Sequence, residues 1–570
     1  MKSTFLSVTT GSLLALVMVS MPLKAQNNKV PLKDLRQLYR EIPSDPYMPN
    51  AYGNKKMAPG YRFRSSALRK QTGSTIFTSQ VNVDPSTGFN YIGDAANEPS
   101  LAVNPFNPDQ IAIGWQQFDN VASNFRQGGW GYTNDGGQNW TFPGVLEPGV
   151  FRSDPVLDYD INGNFYYNSL TNSPTYLCKV FRSTDSGVNW DTGVDAAGGD
   201  KQWMALDRSN GVGTGNIYSF WSLSFSSCQP GHFNRSANGG NSYEPCIPVD
   251  GEPALGTLTV GKNGELYVAG VSSASDSLLV VKSVNAQTPG SAITWNQSAG
   301  VFVDGYLDGF TGVNPVGLYG QINVDVDRSN GAGANNVYVM ASITSISTFD
   351  PADVVFSKST DGGLTWSAPI IVNDDASNVN TQWFATMGVA PNGRIDAVWL
   401  DTRLDITGSD LSALYYSYSV DQGATWSANE QLSPTFDPHV GYPNQQKMGD
   451  YFDIESTNAG AHLAWANTLN GEQDVYYSFI VPQVASGMEE LEINQTLNVF
   501  PNPTEGAITI DCANTITQIE VYNVLGTLIH SSIPNRFRTT IDLSSQSSGI
   551  YFVKVTDSTK QATVKKIMVK

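Results

Sequence analysis

The sequence predicts an all-β protein: a seven-bladed β-propeller, with a six-bladed ring as the alternative, followed by a small immunoglobulin-like β-sandwich. Three observations lead to this prediction. One eight-residue turn motif occurs four times between residues 133 and 426. Seven stretches of similar design recur at spacings of roughly 50 to 70 residues, which is typical of a propeller or repeat array. After residue 496, apolar and polar residues alternate in short runs, which indicates a small sandwich.

The repeated motif reads Ser/Thr-x-Asp-x-Gly-x-x-Trp. Its aspartate and tryptophan pairs are Asp135 and Trp140, Asp185 and Trp190, Asp361 and Trp366, and Asp421 and Trp426. The aspartate of such a turn accepts hydrogen bonds from nearby backbone N–H groups, and the glycine supplies a positive φ. The tryptophan ring can fill the gap beside the next strand. We therefore interpret the motif as a structural turn, with all four tryptophans buried between sheets on the face opposite the central funnel.

The motif resembles the Asp-box, or bacterial neuraminidase repeat, of sialidase-like β-propellers. A worn copy occupies Ser236 to Tyr243, and a fainter one begins at Ser283 and reaches its aromatic residue at Trp295. The resemblance implies the propeller fold. It does not name a chemistry, because the residues of the box have local structural roles.

The N-terminus predicts export. Lys2, an apolar run from Leu13 to Leu23 and the Lys24-Ala25 pair are typical of a signal peptide spanning residues 1–25. No other stretch is long and apolar enough for a membrane span. Residues 26–75 then form a basic N-terminal segment. Export permits disulfides, and Cys228 with Cys246 is the favoured pair because the two flank a worn box.

Seven stretches share one order: a short strand, a Gly/Asn turn, a second strand, a third strand and then a box. The first strands begin near Pro99, Pro155, Trp203, Pro253, Gln321, Trp383 and Tyr451. The last stretch lacks an outer strand, and residues 76–83 could supply it. Such closure would remove exposed sheet edges. We therefore assign residues 76–482 to the propeller and residues 483–495 to a linker.

Residues 496–570 form the last predicted domain. They contain Pro501-Asn502-Pro503-Thr504, Val521-Tyr522-Asn523 with Gly526, Gly549-Ile550-Tyr551 and a closing Lys565-Lys566-Ile567. This set resembles, over essentially its full length, the C-terminal sorting domain of type IX secretion cargo in Bacteroidota. The resemblance implies the type IX translocon as a partner, and delivery through the periplasm to the cell surface or the medium.

The charge distribution excludes some partners. The chain has a formal net charge of −19, and residues 76–495 hold −30 because the segments on either side are basic. A body this acidic argues against nucleic acid or anionic lipid as a ligand.

Candidate site residues follow from propeller geometry. The innermost strand of each blade begins on one face and the second strand ends there, so both places meet at a central funnel. The catalytic candidates are Asp154, Asp401, Arg403, Asp450 and Tyr451, and the ligand-binding candidates are Arg152, Asp200, Trp203, Glu252 and Trp383. The same places also offer Glu98, Gln116, Gln117, Lys201, Trp221, Gln321 and Gln382. We expect Asp401 and Arg403 to lie beside Asp450 and Tyr451, which open the next blade.

This set of residue types leaves three interpretations open. Carboxylates with aromatic rings suit sugars, and a carboxylate pair could hydrolyse a glycosidic bond. Several carboxylates on one axis could hold Ca²⁺, and no other cofactor is expected. Alternatively, these residues cap strand ends and line a solvated channel. The histidines His232, His439, His462 and His530 lack zinc-ligand spacing.

The sialidase resemblance implies three arginines, a Tyr–Glu nucleophile pair, an Asp acid/base and an Arg-Ile-Pro motif before the first box. No such motif precedes the first box here, and Arg152 and Arg403 are the arginines near the expected funnel. The chain is more similar to secreted propellers with Asp-Lys-x-Trp, Trp-x-Asp-x-Arg and Gly-Asp-Tyr segments, here at 200–203, 399–403 and 449–451.

These considerations favour a propeller that binds an extracellular glycan or another surface ligand at its funnel. One alternative is an exo-sialidase-like glycoside hydrolase, or a polysaccharide lyase, that uses funnel carboxylates. A second alternative is a structural or adhesive surface protein.

Overall fold

The computed structural model describes residues 44–47, 56–64, 73–172, 175–272, 278–483, 497–523, 527–558 and 562–570. The chain divides into two compact units, Met1–Gln483 and Val484–Lys570. The predicted signal peptide, most of the basic segment and the predicted linker after Gln483 lie outside the described residues. Within the described ranges, no helix is long and apolar enough to cross a membrane.

Among the described residues of the first unit, seven antiparallel sheets form successive blades, which confirms seven blades rather than six. The innermost strands of blades 1 to 7 are Ala95–Val103, Ser153–Tyr159, Trp203–Leu206, Pro253–Ala254 with Leu258–Val260, Asn323–Val326, Gln382–Val389 and Asp453–Ser456. The second strands are Ile111–Phe118, Phe165–Thr171, Ile217–Phe220, Leu266–Ser272, Val337–Ser345, Ile395–Asp401 and Ala461–Asn467. The third strands are Gln127–Thr133, Leu177–Ser183, Phe233–Ser236, Leu278–Ser283, Asp353–Ser359, Ala413–Ser419 and Asp474–Val481.

The outer strands are shorter and less regular. They are Thr141–Val145, Val194–Ala197, Gln297–Gly300, Ile370–Ile371 and Glu430–Gln431 in blades 1, 2, 4, 5 and 6. Blade 3 has a single bridge between Phe233 and Ile247 in this position, next to the disulfide Cys228–Cys246 that the sequence predicts. The remaining short elements are Met57–Pro59 paired with Phe89–Tyr91, Gly305–Tyr306 beside blade 5, and the 3-10 turn Leu223–Phe225.

The N-terminal part of the chain closes the ring. Thr75–Gln80 pairs antiparallel with Asp474–Val481, so the outer strand of blade 7 comes from residues before blade 1, as the sequence predicts. A further strand, Arg62–Arg64, pairs with Thr75–Gln80. The basic N-terminal segment therefore contributes this strand to the sheet of blade 7.

The Asp-boxes join the third and outer strands on the face opposite the starts of the inner strands, since consecutive strands run antiparallel. Asp135 Oδ1 accepts the backbone N–H of Asn139 at 2.9 Å, and Asp185, Asp361 and Asp421 each accept the equivalent bond at 2.9 Å. Both worn copies form it too, through Asn238 at 3.0 Å and Asn285 at 2.9 Å. The box is therefore a hydrogen-bonded turn in six blades.

The four box tryptophans differ in burial, which corrects our expectation that all four are buried. Trp140 is buried, whereas Trp190, Trp366 and Trp426 are half-buried. Trp140 lies at the closing seam, where its Nε1 donates to Ser79 Oγ at 3.0 Å and its ring centroid lies 5.5 Å from that of Tyr477. The closing strand covers this ring. The other three pack against their surroundings but keep part of the ring exposed.

Side chains of the inner strands also join neighbouring blades around the axis. Asp158 accepts the N–H of Leu206 at 2.7 Å, Asp325 that of Val389 at 2.9 Å, and Asp453 that of Leu101 at 3.0 Å. The hydroxyls of Ser100 and Thr257 accept equivalent bonds from Leu157 at 2.8 Å and Val324 at 3.0 Å. The strands surround a polar central cavity of about 120 Å³. These bonds fix the distances between the places where the strands begin.

The second unit is one sheet of six strands that folds over its own core, as a small sandwich requires. The strands are Asn498–Phe500, Ala507–Asn523, Leu528–Ser532, Arg536–Asp542, Gly549–Asp557 and Ala562–Val569. The long strand bends where its partner changes from Arg536–Asp542 to Gly549–Asp557, with register shifts between Asp511 and Gln518. The core includes Ile508, Val521, Val553 and Ile567.

We predict that Trp140→Ala destabilises the propeller by about 3–5 kcal/mol, because it removes a buried ring from the closing seam. Trp366→Ala should cost roughly half as much, since its ring is half-exposed. Urea unfolding followed by circular dichroism would measure both. Equal losses would contradict a special role for the seam.

Candidate functional site

A residue with a positive φ lies near the start of every inner strand. In blades 1, 2 and 3 these residues are charged: Glu98, Asp154 and Lys201, with φ of 49°, 49° and 58°. The corresponding residues of blades 4 to 7 are Leu255, Gly320, Phe384 and Gly449. This conformation costs a residue other than glycine roughly 1–2 kcal/mol. Contacts of the three charged side chains must therefore stabilise it.

Six charged side chains meet at the starts of the inner strands of blades 1, 2, 3 and 7. We call them the central cluster: Glu98, Asp154, Asp200, Lys201, Lys447 and Asp450. Lys447 Nζ lies 2.6 Å from Glu98 Oε1 and also contacts Asp450. Lys201 Nζ lies 2.7 Å from Asp450 Oδ2, 3.6 Å from Asp200 Oδ1 and 4.0 Å from Asp154 Oδ2. Two ammonium groups thus link four carboxylates in one network.

Neutral groups hold the carboxylates in place. Gln116 Nε2 contacts Glu98 Oε2 and donates to Asp154 Oδ1 at 3.2 Å, so one amide bridges two carboxylates. The backbone N–H of Lys201 donates to Asp154 Oδ2 at 3.1 Å. The N–H of Leu318 donates to Asp450 Oδ1 at 2.9 Å. Charges that are buried without such partners would be strongly destabilising.

The network separates the pKa values of its carboxyl groups. Burial raises the pKa of Glu98 to about 8, against the opposing effect of Lys447. Burial also raises the pKa of Asp200, although Lys201 opposes it. For Asp154 and Asp450, burial acts in the same direction, but Lys201 and Lys447 prevail and lower the pKa. At neutral pH the cluster therefore holds a protonated Glu98 beside ionised Asp154 and Asp450.

Two long connections cover most of the cluster. Residues 301–322 lead into blade 5 and residues 432–452 into blade 7. Asn314 joins them, because its Nδ2 donates to Gly449 O at 2.9 Å and its Oδ1 accepts the N–H of Met448 at 2.9 Å. Glu98, Asp154 and Asp450 are buried beneath, whereas the side chain of Asp200 is 23% exposed and that of Lys201 is 10% exposed. Solvent meets the cluster mainly at Asp200.

Several buried amides around the cluster have unused hydrogen-bonding atoms. The Oε1 atoms of Gln116, Gln202 and Gln445 have no hydrogen-bond partner among the described residues, and neither end of the Gln321 amide has one. Buried amide groups are normally paired. These atoms could accept or donate to small polar ligand groups at this end of the axis.

Asp401 and Arg403 belong to a separate, outer cluster between blades 5 and 6. Arg403 contacts Asp401 at 2.8 Å, Asp374 at 2.7 Å and Asp375 at 3.6 Å, and its guanidinium lies 4.3 Å from the ring centroid of Tyr415. Asp401 is buried and also accepts Trp399 Nε1–H at 2.9 Å. Within the described part of the chain, no hydrogen bond or ion pair joins Asp401 or Arg403 to Asp450 or Tyr451. Our expectation that the four lie together is therefore not met.

The remaining aromatic candidates pack into the core. Trp203 lies edge-on to Tyr451 at 5.1 Å, and the Tyr451 hydroxyl donates to Pro155 O at 2.7 Å. Trp383 is buried against Phe384 at 4.6 Å, and its Nε1 donates to Ser412 Oγ at 3.1 Å. Neither tryptophan offers an open face for a sugar ring.

The other two candidates lie apart from the central cluster. Arg152 is buried, binds Glu147 and donates to Ser169 O at 3.2 Å. Glu252 is half-buried at the start of blade 4, with φ of 52°.

Of the candidates that the sequence predicts, Asp154, Asp200 and Asp450 meet in the central cluster. The sequence analysis did not single out Lys447. The one sequence signal for Lys447 was the Lys447-x-x-Asp450 spacing. This spacing indicates a contact only once the connection is known to fold back over blades 1 and 3.

The central cluster does not have the ligand arrangement of a metal centre. Within the described ranges, no group of three or more His, Cys, Asp or Glu side chains is arranged to hold a metal ion. In the central cluster, lysine ammonium groups occupy the positions between carboxylates that Ca²⁺ would need.

We predict that Glu98 makes stability fall between about pH 5 and pH 8. Its folded pKa lies above the unfolded value, so the bound proton stabilises the fold fully below the unfolded pKa, and this contribution is lost as pH rises through about 8. Glu98→Gln should remove a decline on the order of 1–3 kcal/mol. Urea unfolding at several pH values would measure the difference from the unmodified chain.

Glu505→Gln, the same change at an exposed position of the second unit, serves as the control and should leave the profile unchanged. A profile of Glu98→Gln that runs parallel to that of the unmodified chain would contradict the assigned protonation.

Comparison with known proteins identifies the C-terminal part. Residues 498–570 match the family model described as "Secretion system C-terminal sorting domain". No curated protein matches the chain.

Three solved structures show overall similarity. A protein of unknown function from Dyadobacter fermentans is 13% identical over 73% of this chain and 99% of its own, with a TM-score of 0.42. A Hadza microbial sialidase is 11% identical over 68% of this chain and 66% of its own, with a TM-score of 0.35. PorZ, a surface component of the type IX secretion system of Porphyromonas gingivalis, is 13% identical over 93% of this chain and 61% of its own, with a TM-score of 0.26.

These scores lie below 0.5, and the propeller assignment depends on the strand pairing itself. The family match confirms the sorting domain that the sequence predicts. The protein is thus a seven-bladed propeller with a type IX secretion sorting domain, delivered to the cell surface or the medium.

Proposed function

We propose that this exported propeller binds an extracellular glycan at the central cluster, with Asp200 and Lys201 as the first contacts. The observation that supports it is the convergence of charged side chains from four blades at one end of the axis. Unpaired amide atoms of Gln116 and Gln202 lie in the same region. Sugar hydroxyl groups both donate and accept hydrogen bonds, and so match carboxylates, ammonium groups and amides together.

The charge balance points to the kind of glycan. Four carboxyl groups face two ammonium groups, and with Glu98 protonated the other three carboxyl groups still outnumber the ammonium groups, so the cluster favours neutral sugars or amino sugars over acidic ones. Trp203 and Trp383 are buried, so affinity would come from hydrogen bonds rather than from ring stacking. A sialic acid carboxylate would meet repulsion here, and no Arg-Ile-Pro motif precedes the first box.

An enzyme of the glycosidase or polysaccharide lyase type is the second candidate. It is favoured because the pKa of Glu98 is raised and that of Asp154 is lowered. The amide of Gln116 bridges these two carboxyl groups. A protonated carboxyl group near an ionised one is the usual acid and base pair of glycoside hydrolysis. The covering connections 301–322 and 432–452 make access to this pair the main obstacle.

We predict that Asp200→Asn weakens glycan binding at least tenfold, about 1.4 kcal/mol, because it removes the most exposed carboxylate of the central cluster. Asp374→Asn is the matched control: it makes the same change in the outer cluster, where Asp374 pairs with Arg403. A glycan array followed by titration of the best glycan would measure both, with the melting temperature recorded for each variant.

Equal losses in the two variants would contradict the central location, and an array without any bound glycan would contradict the function. Turnover of a polysaccharide substrate that is abolished by Glu98→Gln would favour the enzyme.

We further predict that deleting residues 498–570 leaves a folded propeller that remains in the periplasm. The reason is that the second unit has its own core and matches the sorting family. Cell fractionation, with limited proteolysis to test folding, would check this. Normal surface delivery of the truncated chain would contradict the sorting assignment.

A further inference from the structure

Four neighbouring connections on blades 5 and 6 expose apolar side chains on the face where the inner strands begin. Phe349 is 84% exposed and Ile406 is 96% exposed. Phe302, Val379 and Leu404 are exposed between 42% and 77%. We call these five residues the blade 5–6 face. Exposed apolar groups of this kind, surrounded by polar residues, are typical of interaction sites.

Backbone and side-chain contacts show that the connections are adjacent. The N–H of Ile346 donates to Asp304 O at 3.0 Å, which places the loop of Phe349 beside that of Phe302. Ala352 bridges Thr381, and the N–H of Thr402 donates to Thr381 O at 3.2 Å. The loops of Val379, Leu404 and Ile406 therefore continue the same surface.

This surface is strongly acidic. The stretches 302–304, 346–353, 373–381 and 401–410 contain eight aspartates, one arginine and no lysine. Asp350, Asp353 and Asp401 are buried, so the other five aspartates form the acidic surface. The arginine, Arg403, already contacts Asp374, Asp375 and Asp401. Burial, and then repulsion from Asp353, raises the pKa of Asp350 to about 6. The surface thus keeps an excess of negative charge around its apolar side chains.

The backbone holds Phe349 in this exposed position. Its φ is 59°, a conformation that is a genuine outlier for a bulky side chain. Two hydrogen bonds of Asp350 hold this loop. Its N–H donates to Thr348 Oγ1 at 3.3 Å, and its Oδ1 accepts the N–H of Ala352 at 3.0 Å. The ring is therefore presented to solvent by a defined turn.

We propose that the blade 5–6 face docks a polypeptide segment that carries lysine or arginine between apolar residues. Charge complementarity selects this partner: the aspartates attract cations, and the exposed rings and aliphatic groups bury apolar side chains. An acidic glycan, a nucleic acid or an anionic membrane would be repelled by the same aspartates. This site is separate from the proposed glycan site, because it shares no residue with the central cluster.

The test uses the full chain and two labelled synthetic peptides of equal charge, one of alternating lysine and leucine and one of alternating lysine and serine. The lysine–leucine peptide should bind at least tenfold more tightly. Phe349→Ser combined with Ile406→Ser should remove at least tenfold of this affinity without changing the melting temperature, since both side chains are exposed. Affinity should also fall as salt concentration rises.

Val212→Ser is the matched control, because Val212 is 70% exposed in the turn between Leu206 and Ile217, on the opposite face. It should leave peptide binding unchanged. Equal binding of the two peptides, or an equal loss in Val212→Ser, would overturn the proposal. Self-association that the double variant abolishes, with no peptide binding, would also overturn it by assigning the face to a second copy. Glycan binding by the double variant should be normal, so the two sites are tested independently.

Discussion

Closure of the ring is the constraint on which the rest of the propeller depends. The last blade obtains its outer strand from Thr75–Gln80, which lies about 400 residues away along the chain from its partner Asp474–Val481. An open ring would leave an unpaired strand edge on blade 7. The seam also buries Trp140 against Ser79 and Tyr477. Once the ring is closed, the bonds between neighbouring inner strands fix where each strand begins, and so fix the geometry of the central cluster.

The central cluster shows how buried charges can be retained. Lys201 and Lys447 come from different blades and meet four carboxylates that would otherwise repel one another. The same network that stabilises this end of the axis also separates the pKa values of Glu98 and Asp154. A structural role and a role in ligand binding therefore depend on the same contacts, and Asp200 is the member that reaches solvent most.

The two faces of the propeller differ in design. On one face the Asp-boxes repeat the same turn, and their residues mainly satisfy local hydrogen bonds. On the other face the connections differ in length and composition from blade to blade. Residues 301–322 and 432–452 cover the axis, whereas the loops of blades 5 and 6 expose Phe349 and Ile406. Variable loops on a regular scaffold are where binding functions are usually placed.

The sequence by itself determined the propeller repeat, with seven blades favoured over six, the closing strand, the structural role of the Asp-boxes and the sorting domain. Each of these depends on a pattern that is local or repeats: alternation within strands, Asp and Gly in tight turns, and a short set of motifs near the C-terminus. The tertiary structure alone decided which candidates meet. It placed Asp154, Asp200 and Asp450 around two lysines, kept Asp401 and Arg403 in another cluster, and buried Trp203 and Trp383. The physical reason is that two non-local features determine where these side chains point. One is the strand bulge at residues such as Glu98, and the other is the folding back of the long connection that carries Lys447. Neither feature depends on sequence spacing.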